Sequence, residues 1–460
     1  MKLRNVNETI CALCTPPGKS SVAVIRVSGN KALDICQKIF TKELKKPRYF
    51  YFGKILKNQS LIDEALCVYF KGPSSFTGED VVEFHVHGGP EIVKKTIELI
   101  LNQGATYADP GEFSYRAFIN NKIDLVKAES ISNIINSDSE TAFKNSVLNF
   151  SGEINKKYNN IKDLGISLLS NIESRVDFPE DEVPEINKKE IIDQFAGIID
   201  RLTFFVSSYK KGALIMNGVK VLILGPPNVG KSSLMNRMVL QDKSIVSDMP
   251  GTTRDVIHSE IIIKGIKFNF FDVAGIRDSN NPIEKEGIKK AIEKIDYSDI
   301  VLQVLDDDSC NNLQRLDQIN LKIPRGKRIL VLNKIDKLTK SQLSHCTKKI
   351  SEIFKDTKLI QVSAKENSNI DLLENTLIER VVEFDDNDSE VLMTSNRQYT
   401  LSKNAIKNFI EARNLFEQGF HLEIVVEEIR AGIDCIAQIT GEISNEDIYD
   451  VLFSTFCIGK

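Results

Sequence analysis

The sequence of 460 residues has no apolar stretch near the ~18 residues that a membrane span needs. Its first residues, MKLRNVNE, lack the apolar run of a signal peptide. The 8 cysteines stand at irregular spacings, so they are poor candidates for a disulfide framework. Cys11 and Cys14 form a CxxC without a second pair, which favours core packing over a metal site. We therefore expect a cytosolic chain that does not cross a membrane.

The sequence also lacks a strong charge of one sign, because its formal net charge is -4. Proteins that hold nucleic acid by bulk electrostatics are strongly basic. Any contact with RNA must therefore be local or shared with a partner. Internal repeats and low-complexity tracts are absent as well. With 42% hydrophobic residues, the length is enough for about three domains of ordinary size.

Four short motifs follow one another along the middle of the chain: GPPNVGKS at 225–232, DVAG at 272–275, NKID at 333–336 and SAK at 363–365. The first is typical of a phosphate loop, in which glycines bring backbone N–H groups to phosphate oxygens. Lys231 is expected to reach the β and γ oxygens, and Ser232 to ligate Mg²⁺. The apolar run 219–224 predicts a buried strand before the loop, and 233–238 predicts a helix after it. All four motifs in this order predict a guanine-nucleotide switch rather than glycine-rich turns.

The motifs also predict how the nucleotide is held. Asp272 ends a strand, where a carboxylate can hold Mg²⁺ through water while the N–H of Gly275 faces the γ-phosphate. Asp336 is expected to accept two hydrogen bonds from the guanine edge, which adenine cannot supply. Ala364 adds a backbone N–H to the guanine oxygen. Thr253, in the run GTTRD, resembles the first-switch threonine that completes the Mg²⁺ shell.

Several residues are candidates for the group that orients the attacking water. Ile276 follows the second motif, where many GTPases carry a glutamine, and an alkyl side chain cannot orient water. The carboxylates of PIEKEG at 282–287 are candidates, although an exposed acidic loop is the alternative. Arg254 and Arg277 are candidate arginine fingers, but surface roles are favoured for both. Asn228 can instead help to hold a monovalent cation that neutralises charge in the transition state.

The apolar pattern divides the chain. Short alternating runs, interrupted by one helical stretch at about 90–102, indicate an α+β N-terminal region. Apolar residues recur at helical spacing before and after the nucleotide-binding region. Each helical flank alone offers an incomplete core, so we predict one split all-α domain around an inserted α/β phosphate-loop GTPase (Ras-like) domain; two separate helical domains are the alternative. The predicted divisions are 1–120 for the α+β domain, 121–216 and 379–460 for the helical domain, and 217–378 for the GTPase domain.

Further stretches resemble a known family. They are TPPG at 15–18, SFTGEDVVE at 75–83, HGG at 87–89, PGEFSYRAF at 110–118, DFP at 177–179 and FCIGK at 456–460. With GTTRD and Glu284, they make the chain resemble the MnmE/TrmE family of tRNA modification GTPases nearly end to end. A generic GTPase shares none of these stretches. The chain departs from the family pattern at Val273 and Ser247, where threonine is usual, and after Gly18, where a more basic, glycine-rich run is usual.

The resemblance implies a constitutive homodimer built through the N-terminal tetrahydrofolate-binding domain. It also implies a flavin-dependent partner of the MnmG/GidA type, which forms a heterotetramer with the dimer. That complex adds a carboxymethylaminomethyl or aminomethyl group to C5 of the wobble uridine of certain tRNAs. The one-carbon unit comes from 5,10-methylene- or 5-formyl-tetrahydrofolate. GTP hydrolysis acts as a conformational clock, with K⁺-dependent dimerisation of the GTPase domains.

Matched positions assign residues to these roles. Glu284 is implied as the catalytic glutamate. Ser232 and Thr253 are the Mg²⁺ ligands, and the K⁺ site is formed by Asn228, Ser247, Met249 and Thr252. The folate site is formed by Arg26, Glu83, Lys122 and Lys460. The GTP site comprises Asn228, Val229, Gly230, Lys231, Ser232, Ser233, Ser247, Asp248, Met249, Pro250, Gly251, Thr252, Thr253, Asp272, Val273, Ala274, Gly275, Asn333, Lys334, Asp336, Ser363, Ala364 and Lys365.

The implied folate residues have suitable chemistry. Glu83 can accept paired hydrogen bonds from the amino-pyrimidine edge of a pterin, and the cations Arg26 and Lys122 can meet its oxygens or the glutamate tail. On the residues alone, Arg26 and Glu83 are better interpreted as ordinary outward-facing strand residues. Glu83, His85 and His87 alternate onto one strand face, but neighbours two apart span ~6.6 Å, so one ion would not easily take all three.

The C-terminal tail has two interpretations. Chain ends are usually frayed. The resemblance instead implies a docked tail, in which Gly459 permits a close backbone approach and Cys457 is either a reactive thiol or a small buried group. The main alternative function is a regulatory switch, such as a ribosome-assembly or membrane-signalling GTPase, that modifies nothing. It leaves the first 120 residues and the tail without a role.

Overall fold

The computed structural model describes residues 7–177, 187–241, 259–272, 292–311, 323–355, 357–382, 391–443, 449, 452–454, 456 and 458–459. The chain forms two compact units. The first unit comprises Met1–Ser132, Asn149–Asp200 and Leu401–Lys460, and the second comprises Asn133–Leu148 and Arg201–Thr400. Residues on both sides of the nucleotide-binding region thus share the first unit. The three predicted domain boundaries stay a prediction.

Both units contain strands and helices. The strands are β1 (Ile10–Leu13), β2 (Ser20–Ser28), β3 (Phe50–Lys57), β4 (Ser60–Phe70), β5 (Val81–Gly88), β6 (Thr106–Tyr107), β7 (Val219–Leu224), β8 (Ser259–Ile263), β9 (Ile266–Asp272), β10 (Ile300–Leu305), β11 (Arg328–Leu332) and β12 (Leu359–Gln361). The helices include α1 (Ala32–Ile39), α2 (Pro90–Asn102), α3 (Glu112–Ile119), α4 (Leu125–Ile135), α5 (Glu140–Phe150), α6 (Glu153–Asp177), α7 (Lys188–Asn217), α8 (Lys231–Gln241), α9 (Asp307–Asn311), α10 (Lys340–Ile353), α11 (Ile370–Val382), α12 (Asn396–Glu417) and α13 (Leu422–Thr440).

The first unit contains a six-stranded sheet in the order β3-β4-β5-β2-β1-β6. Its strands pair antiparallel, except that β1 and β6 are parallel. Alternate residues such as Ile25, Val27 and Phe84 are buried in one core with apolar residues of α1 and α2. This alternation is what a sheet with one face covered by helices requires.

The predicted helix at about 90–102 is confirmed as α2. The expectation of a single helical stretch in this region is wrong, because α1 and α3 are helices as well. Each has 8 residues, or roughly two turns. So short an apolar run does not separate a helical period from that of a strand.

The helices of the first unit pack around buried apolar residues. Along α6, the buried positions recur at helical spacing: Ile154, Tyr158, Ile161, Leu168 and Ile172. The amphipathic helix predicted from this spacing is confirmed.

Close packing joins the two sides of the helical region. The hydroxyls of Tyr158 on α6 and Ser402 on α12 lie 2.9 Å apart, and both side chains are buried. Helix α13 packs against α6. A Cβ built at Gly432 of α13 would come within 2.8 Å of the Phe409 ring on α12, so glycine permits this approach.

The second unit contains a six-stranded sheet in the order β12-β11-β10-β7-β9-β8. All neighbours are parallel except β8 and β9. The six residues of β10, IVLQVL, are all buried, as expected for a central parallel strand covered on both faces. The carboxyl ends of β7, β10 and β11 lie at the same edge of the sheet, where open α/β sheets bind their ligands.

Candidate functional site

The phosphate-loop motif connects β7 to α8. Gly225 and Gly230 have φ angles of +157° and +94°, and Asn228 between them is left-handed at +65°. A Cβ at Gly225 would lie 2.3 Å from the carbonyl oxygen of Val304, and one at Gly230 would lie 2.4 Å from Asn333 Nδ2. Only glycine fits either position. The predicted strand, loop and helix are confirmed.

The side chains at the start of α8 are accessible. Lys231 Nζ donates hydrogen bonds to the carbonyl oxygens of Gly225 at 3.1 Å and Pro226 at 3.0 Å. The ammonium therefore lies against the loop that precedes it. Ser232 and Ser233 are exposed, whereas Val229 is buried and anchors the loop in the core.

Asn333 connects three of the four motifs. Its Nδ2 donates to the carbonyl oxygen of Val229 at 2.9 Å, and its Oδ1 accepts from the backbone N–H of Ala364 at 3.1 Å. The Asn333 side chain is buried. A single amide thus fixes the phosphate loop relative to the loop that carries the SAK motif.

Lys334 makes a second connection to the phosphate loop. It is left-handed, with φ of +64°, and its Nζ donates to the carbonyl oxygen of Asn228. The same ammonium contacts Asp306 Oδ2 at 2.8 Å. Burial alone would raise the pKa of Asp306, but hydrogen bonds from Lys334 and Ser309 outweigh it and lower that pKa below its usual value. Asp306 is therefore the ionised partner of Lys334.

Sequence reasoning missed Asp306. The available signal was its position directly after the apolar strand β10, which matches the position of Asp272 at the end of β9.

The base-recognition carboxylate is already oriented. Asp336 Oδ1 accepts a hydrogen bond of 2.5 Å from Ser363 Oγ. That hydroxyl also accepts from the backbone N–H of Glu366 at 3.1 Å, and Ser363 is fully buried. The bond from Ser363 holds the pKa of Asp336 below its usual value. Asp336 is thus an ionised acceptor, which is what the predicted pairing with guanine requires.

Arg237 is a second residue that sequence reasoning missed. It lies on α8, and its Nε and Nη2 each donate a hydrogen bond of 2.9 Å, to the carbonyl oxygens of Ala364 and Lys365 respectively. A guanidinium on the helix after the phosphate loop thereby holds the SAK loop. No sequence signal identified it, because its partners are backbone groups that any residue supplies.

Part of the predicted site lies outside the described residues. This applies to Ser247, Asp248, Met249, Pro250, Gly251, Thr252, Thr253, Val273, Ala274, Gly275, Glu284, Cys457 and Lys460, and to the candidates Arg254, Ile276 and Arg277. Of Asp272, only the backbone is described, at the end of β9.

In the first unit, the structure brings Arg26 and Glu83 together. They are direct cross-strand partners on β2 and β5. Arg26 Nε donates to Glu83 Oε1 at 2.8 Å, and the two side chains are only 20% and 16% exposed. Glu83 Oε2 lies 3.7 Å from His85 Nε2. The pair is thus half-buried and internally neutral, unlike two independent solvent-facing strand residues.

Two aromatic rings lie beside Arg26, and Lys122 lies beside the loop that carries one of them. The Cζ of Arg26 lies 5.4 Å from the ring centroid of Phe76 and 5.5 Å from that of Phe113. Lys122 is exposed, and a Cβ built at Gly78 would lie 3.4 Å from its Cγ. The loop that carries Phe76 therefore contacts both predicted cations. Arg26 and Glu83 thus form a direct pair, and Lys122 lies near Gly78 of the adjacent loop.

The histidines of β5 have separate partners. His87 Nδ1 lies 2.7 Å from Asp63 Oδ1, so it pairs with β4. Within the described ranges, no group of three or more His, Cys, Asp or Glu side chains is arranged to hold a metal ion.

The C-terminal tail packs against the N-terminal sheet. Cys14 Sγ donates to the carbonyl oxygen of Gly459 at 3.2 Å. Gly459 has φ of +93°, and a Cβ there would lie 2.2 Å from the carbonyl oxygen of Leu13. Phe453 and Phe456 pack in an apolar cluster with Leu125. The predicted docked tail is confirmed at these positions.

Two sequence profiles match the chain. The profile described as the MnmE helical domain matches residues 125–457, and that of the GTP-binding protein TrmE N-terminus matches residues 9–122. The chain belongs to the MnmE family of tRNA modification GTPases. Membership confirms the resemblance, the multidomain architecture with a GTPase domain, and a GTP-hydrolysing enzyme involved in tRNA modification. The alternative of a switch that modifies nothing is therefore set aside.

Relatives match over nearly the full length. The tRNA modification GTPase MnmE of Thermotoga maritima is 36% identical over 456 residues, which cover 98% of this chain and 100% of the relative. That of Aquifex aeolicus is 35% identical over 459 residues, covering 99% and 100%. The solved G domain of the T. maritima FeoB iron transporter is 27% identical, with a match that covers 36% of this chain and 98% of that domain at a TM-score of 0.25.

Within the ranges that the structure describes, we find no helix that is both long and apolar enough to span a membrane.

Proposed function

We propose that this member of the MnmE family is the GTP-hydrolysing component of a complex that adds a carboxymethylaminomethyl or aminomethyl group to C5 of the wobble uridine of certain tRNAs. A 5,10-methylene- or 5-formyl-tetrahydrofolate supplies the one-carbon unit, and a flavin-dependent partner of the MnmG/GidA type completes a heterotetramer. The folate part is supported by the half-buried Arg26–Glu83 pair, with Phe76 beside Arg26 and Lys122 next to Gly78 of the loop that carries Phe76.

The pair has the chemistry that a pterin needs. Glu83 accepts from Arg26 through Oε1, and its second oxygen, Oε2, can accept from the amino-pyrimidine edge. The guanidinium of Arg26 is already oriented, so little conformational freedom remains to be lost on binding. Lys122 supplies an exposed cation for the glutamate tail, and Lys460 adds a further cation from the tail of the chain. Together these groups recognise a ligand with a polar ring edge and an anionic end.

The nucleotide site binds GTP through the loops described above. The backbone of 228–233 surrounds the phosphates, and Lys231 supplies the cation. Asp336, oriented by Ser363, reads guanine, while Ala364 donates its N–H to the base oxygen. Asn333, Lys334 and Lys365 complete the base side.

The proposed ligands of Mg²⁺ and K⁺ lie in the nucleotide-binding region. Ser232 and Thr253 hold Mg²⁺, and the exposed hydroxyl of Ser232 at the first turn of α8 fits this role. Mg²⁺ and K⁺, when bound, stabilise the negative charge that develops during phosphoryl transfer. Asn228, Ser247, Met249 and Thr252 hold K⁺. Glu284 orients the attacking water.

We propose that the outer face of the N-terminal sheet forms the contact surface of a homodimer. Strand register places Phe50, Val68, Glu83 and Arg26 in one row on the face opposite α1 and α2. In that face, the side chains of Phe50 and Phe52 are 49% and 63% exposed. Exposed apolar residues in one patch mark contact surfaces. A second copy of this chain on this face would border the Arg26–Glu83 pair.

Replacing Phe52 by Glu is expected to shift the protein toward monomer in sedimentation experiments.

A titration of 5-formyl-tetrahydrofolate, followed by isothermal calorimetry, tests the folate site. The full chain is expected to bind, and Glu83→Ala to weaken binding about 100-fold, because charge-assisted hydrogen bonds contribute roughly 1.5–3 kcal/mol each. The matched control is Glu64→Ala, which removes an exposed carboxylate from the neighbouring strand β4. Equal affinity in Glu83→Ala and the control would contradict the assignment.

Hydrolysis and modification are tested separately. Glu284→Ala is expected to slow GTP hydrolysis about 10²–10⁴-fold with nearly unchanged GTP affinity, as for the loss of a positioned acid or base. Replacing K⁺ by Na⁺ should also depress turnover, and indifference to the cation would favour an arginine finger.

In cells that lack the protein, the wobble uridine should lose its C5 group. An unchanged nucleoside composition of the tRNAs would contradict the proposed modification.

A further inference from the structure

Two motifs of the N-terminal region meet around one buried side chain. They are SFTGEDVVE at 75–83 and PGEFSYRAF at 110–118, of which the proposed function uses only Phe76 and Glu83. Arg116, from the second motif, is only 1% exposed. Its Nη1 lies 3.1 Å from Glu79 Oε1 in the first motif, and its Nη2 lies 2.8 Å from Glu112 Oε1 in its own. One guanidinium thus joins a carboxylate from each motif.

The network continues through two buried hydroxyls. Ser28 Oγ donates to Glu79 Oε2 at 2.7 Å and lies 2.7 Å from Thr77 Oγ1. Ser28 has a single hydroxyl proton, which Glu79 accepts, so Thr77 must be the donor to Ser28. The N–H of Glu79 in turn donates to Thr77 Oγ1 at 3.3 Å. These bonds close a ring that fixes the loop between β4 and β5.

A further bond holds the backbone of the same loop. Asn120 Nδ2 donates to the carbonyl oxygen of Thr77 at 2.7 Å. Thr77 is completely buried, so both its side chain and its backbone have fixed partners. The neighbouring residue, Phe76, is 37% exposed. Its place beside the Arg26 guanidinium is therefore set by Thr77, which the network holds.

The second motif contributes to the same guanidinium. Phe113, one residue after Glu112, lies 5.5 Å from Arg26 Cζ, and Phe76 lies at 5.4 Å. Aromatic rings at such distances attract a guanidinium and restrict its orientation. Each motif therefore supplies one carboxylate to Arg116 and one ring to Arg26.

We propose that Arg116 is a positioning residue for the Arg26–Glu83 site. Through Glu79, Ser28 and Thr77 it holds the loop at 75–80 so that Phe76 fixes the guanidinium of Arg26 for a folate-class ligand. The inference rests on the proposed folate site. Arg116 itself touches neither Arg26 nor the ligand; it acts through the loop. Supporting residues that lock the contacting residues in place are a general requirement of preorganised sites.

The first test removes one hydrogen bond between uncharged side chains of the network. Thr77→Val keeps the shape of the side chain and deletes the donor to Ser28. The matched control is Thr96→Val on α2, where an equally buried hydroxyl donates to the carbonyl oxygen of Ile92 at 2.8 Å. Calorimetric titration with 5-formyl-tetrahydrofolate is expected to show about 10-fold weaker binding for Thr77→Val and less than about 2-fold for the control. GTP hydrolysis should be unchanged in both. Equal folate affinity in the two variants would overturn the proposal.

A second readout does not depend on folate. The chain has no tryptophan, so Phe76→Trp creates a single fluorescent reporter in the loop. Adding Thr77→Val or Arg116→Lys should raise acrylamide quenching of that reporter, and adding Thr96→Val should not. If quenching rises but the parent chain does not bind the folate, the positioning role stands and the proposed ligand fails. If quenching is unchanged while Glu83→Ala still weakens folate binding about 100-fold, the positioning role fails and the proposed function stands.

Discussion

The base-recognition loops of the second unit and the Arg26–Glu83 site of the first are built by different kinds of contact. In the former, Asn333 and Arg237 bind backbone groups of other loops, in addition to the side-chain pairs Ser363–Asp336 and Asp306–Lys334. In the latter, Arg26 and Glu83 bind each other's side chains across 57 positions of sequence. Backbone groups are supplied by every residue, so the first kind of site needs only a short motif and a loop at the right distance. The second kind needs two particular residues in register.

This difference decides what each site tolerates. Loss of one side chain in the base-recognition loops should affect nucleotide binding through loop position, even where that side chain does not touch the base. In the Arg26–Glu83 site, the loss of one partner leaves the other half-buried and unpaired. The following predictions test this contrast, beginning with the largest expected effect.

Asp336→Asn should weaken GTP binding about 100-fold, because it replaces an ionised acceptor of two hydrogen bonds by a neutral amide. Preference for guanine should relax at the same time, since an amide can donate as well as accept. Titration with a fluorescent GTP analogue, with ATP and xanthosine triphosphate as competitors, measures both effects. Asp371→Asn, on the exposed surface of α11, is the control. Retained selectivity for GTP would count against the guanine-edge assignment.

Arg237→Met should weaken binding of GTP and GDP about 10-fold, through faster dissociation. The substitution keeps the aliphatic stem on α8 but deletes both hydrogen bonds to the SAK loop, and roughly 1.4 kcal/mol corresponds to a factor of ten. Stopped-flow displacement of the fluorescent nucleotide gives the dissociation rate.

Arg237→Lys is the matched variant, since it keeps the charge and loses the fork of donors. It should fall between the parent chain and Arg237→Met. A dissociation rate that does not change in either variant would show that the SAK loop keeps its position without Arg237, and the contrast between the two sites would then weaken.

The Arg26–Glu83 pair should show a coupling free energy of about 1–2 kcal/mol in a double-mutant cycle with Met at each position. The exposed pair Lys54–Glu64, 3.6 Å apart on the same sheet, is the control and should give less than about 1 kcal/mol. Native-state hydrogen exchange of amides in β2 and β5 reports the local free energy of opening. Equal coupling in both pairs would mean that half-burial adds nothing to the contact of Arg26 with Glu83.

The same contrast explains which elements and which site residues could be predicted from the sequence. Strand β7, its loop and α8 were predictable, because an apolar run, two constrained glycines and a helix start are contiguous. Helices α1 and α3 were missed because two turns carry too little periodicity. The folate residues came from resemblance to a family rather than from spacing. Their meeting depends on the register of β2 and β5, which no local pattern specifies.

Arg237 and Asp306 were missed for related reasons. Arg237 acts on carbonyl oxygens, so its partners carry no sequence signature. The position of Asp306 directly after β10 marks it as a candidate, but its partner follows only from the sheet order, in which β10 lies beside β7 and β11 and Lys334 comes within 2.8 Å. Arg237 holds the SAK loop through its carbonyl oxygens, and Asp306 holds the side chain of Lys334. Sequence patterns therefore identified residues expected to meet the nucleotide better than residues that orient them.

The smallest predicted effect concerns the pKa of Asp336. Ser363→Ala removes the hydrogen bond that lowers it, so the pKa should rise toward the usual value of about 3.9. Because the folded-state pKa is lowered, the bond stabilises the protein fully above that usual value, and this stability is lost as pH falls through the lowered pKa. Carboxyl NMR of aspartate-labelled protein measures the titration, with Ser351→Ala on α10 as control. An unchanged pKa in Ser363→Ala would mean that Ser363 does not orient the carboxylate, and the base-recognition acceptor would then be fixed only when guanine arrives.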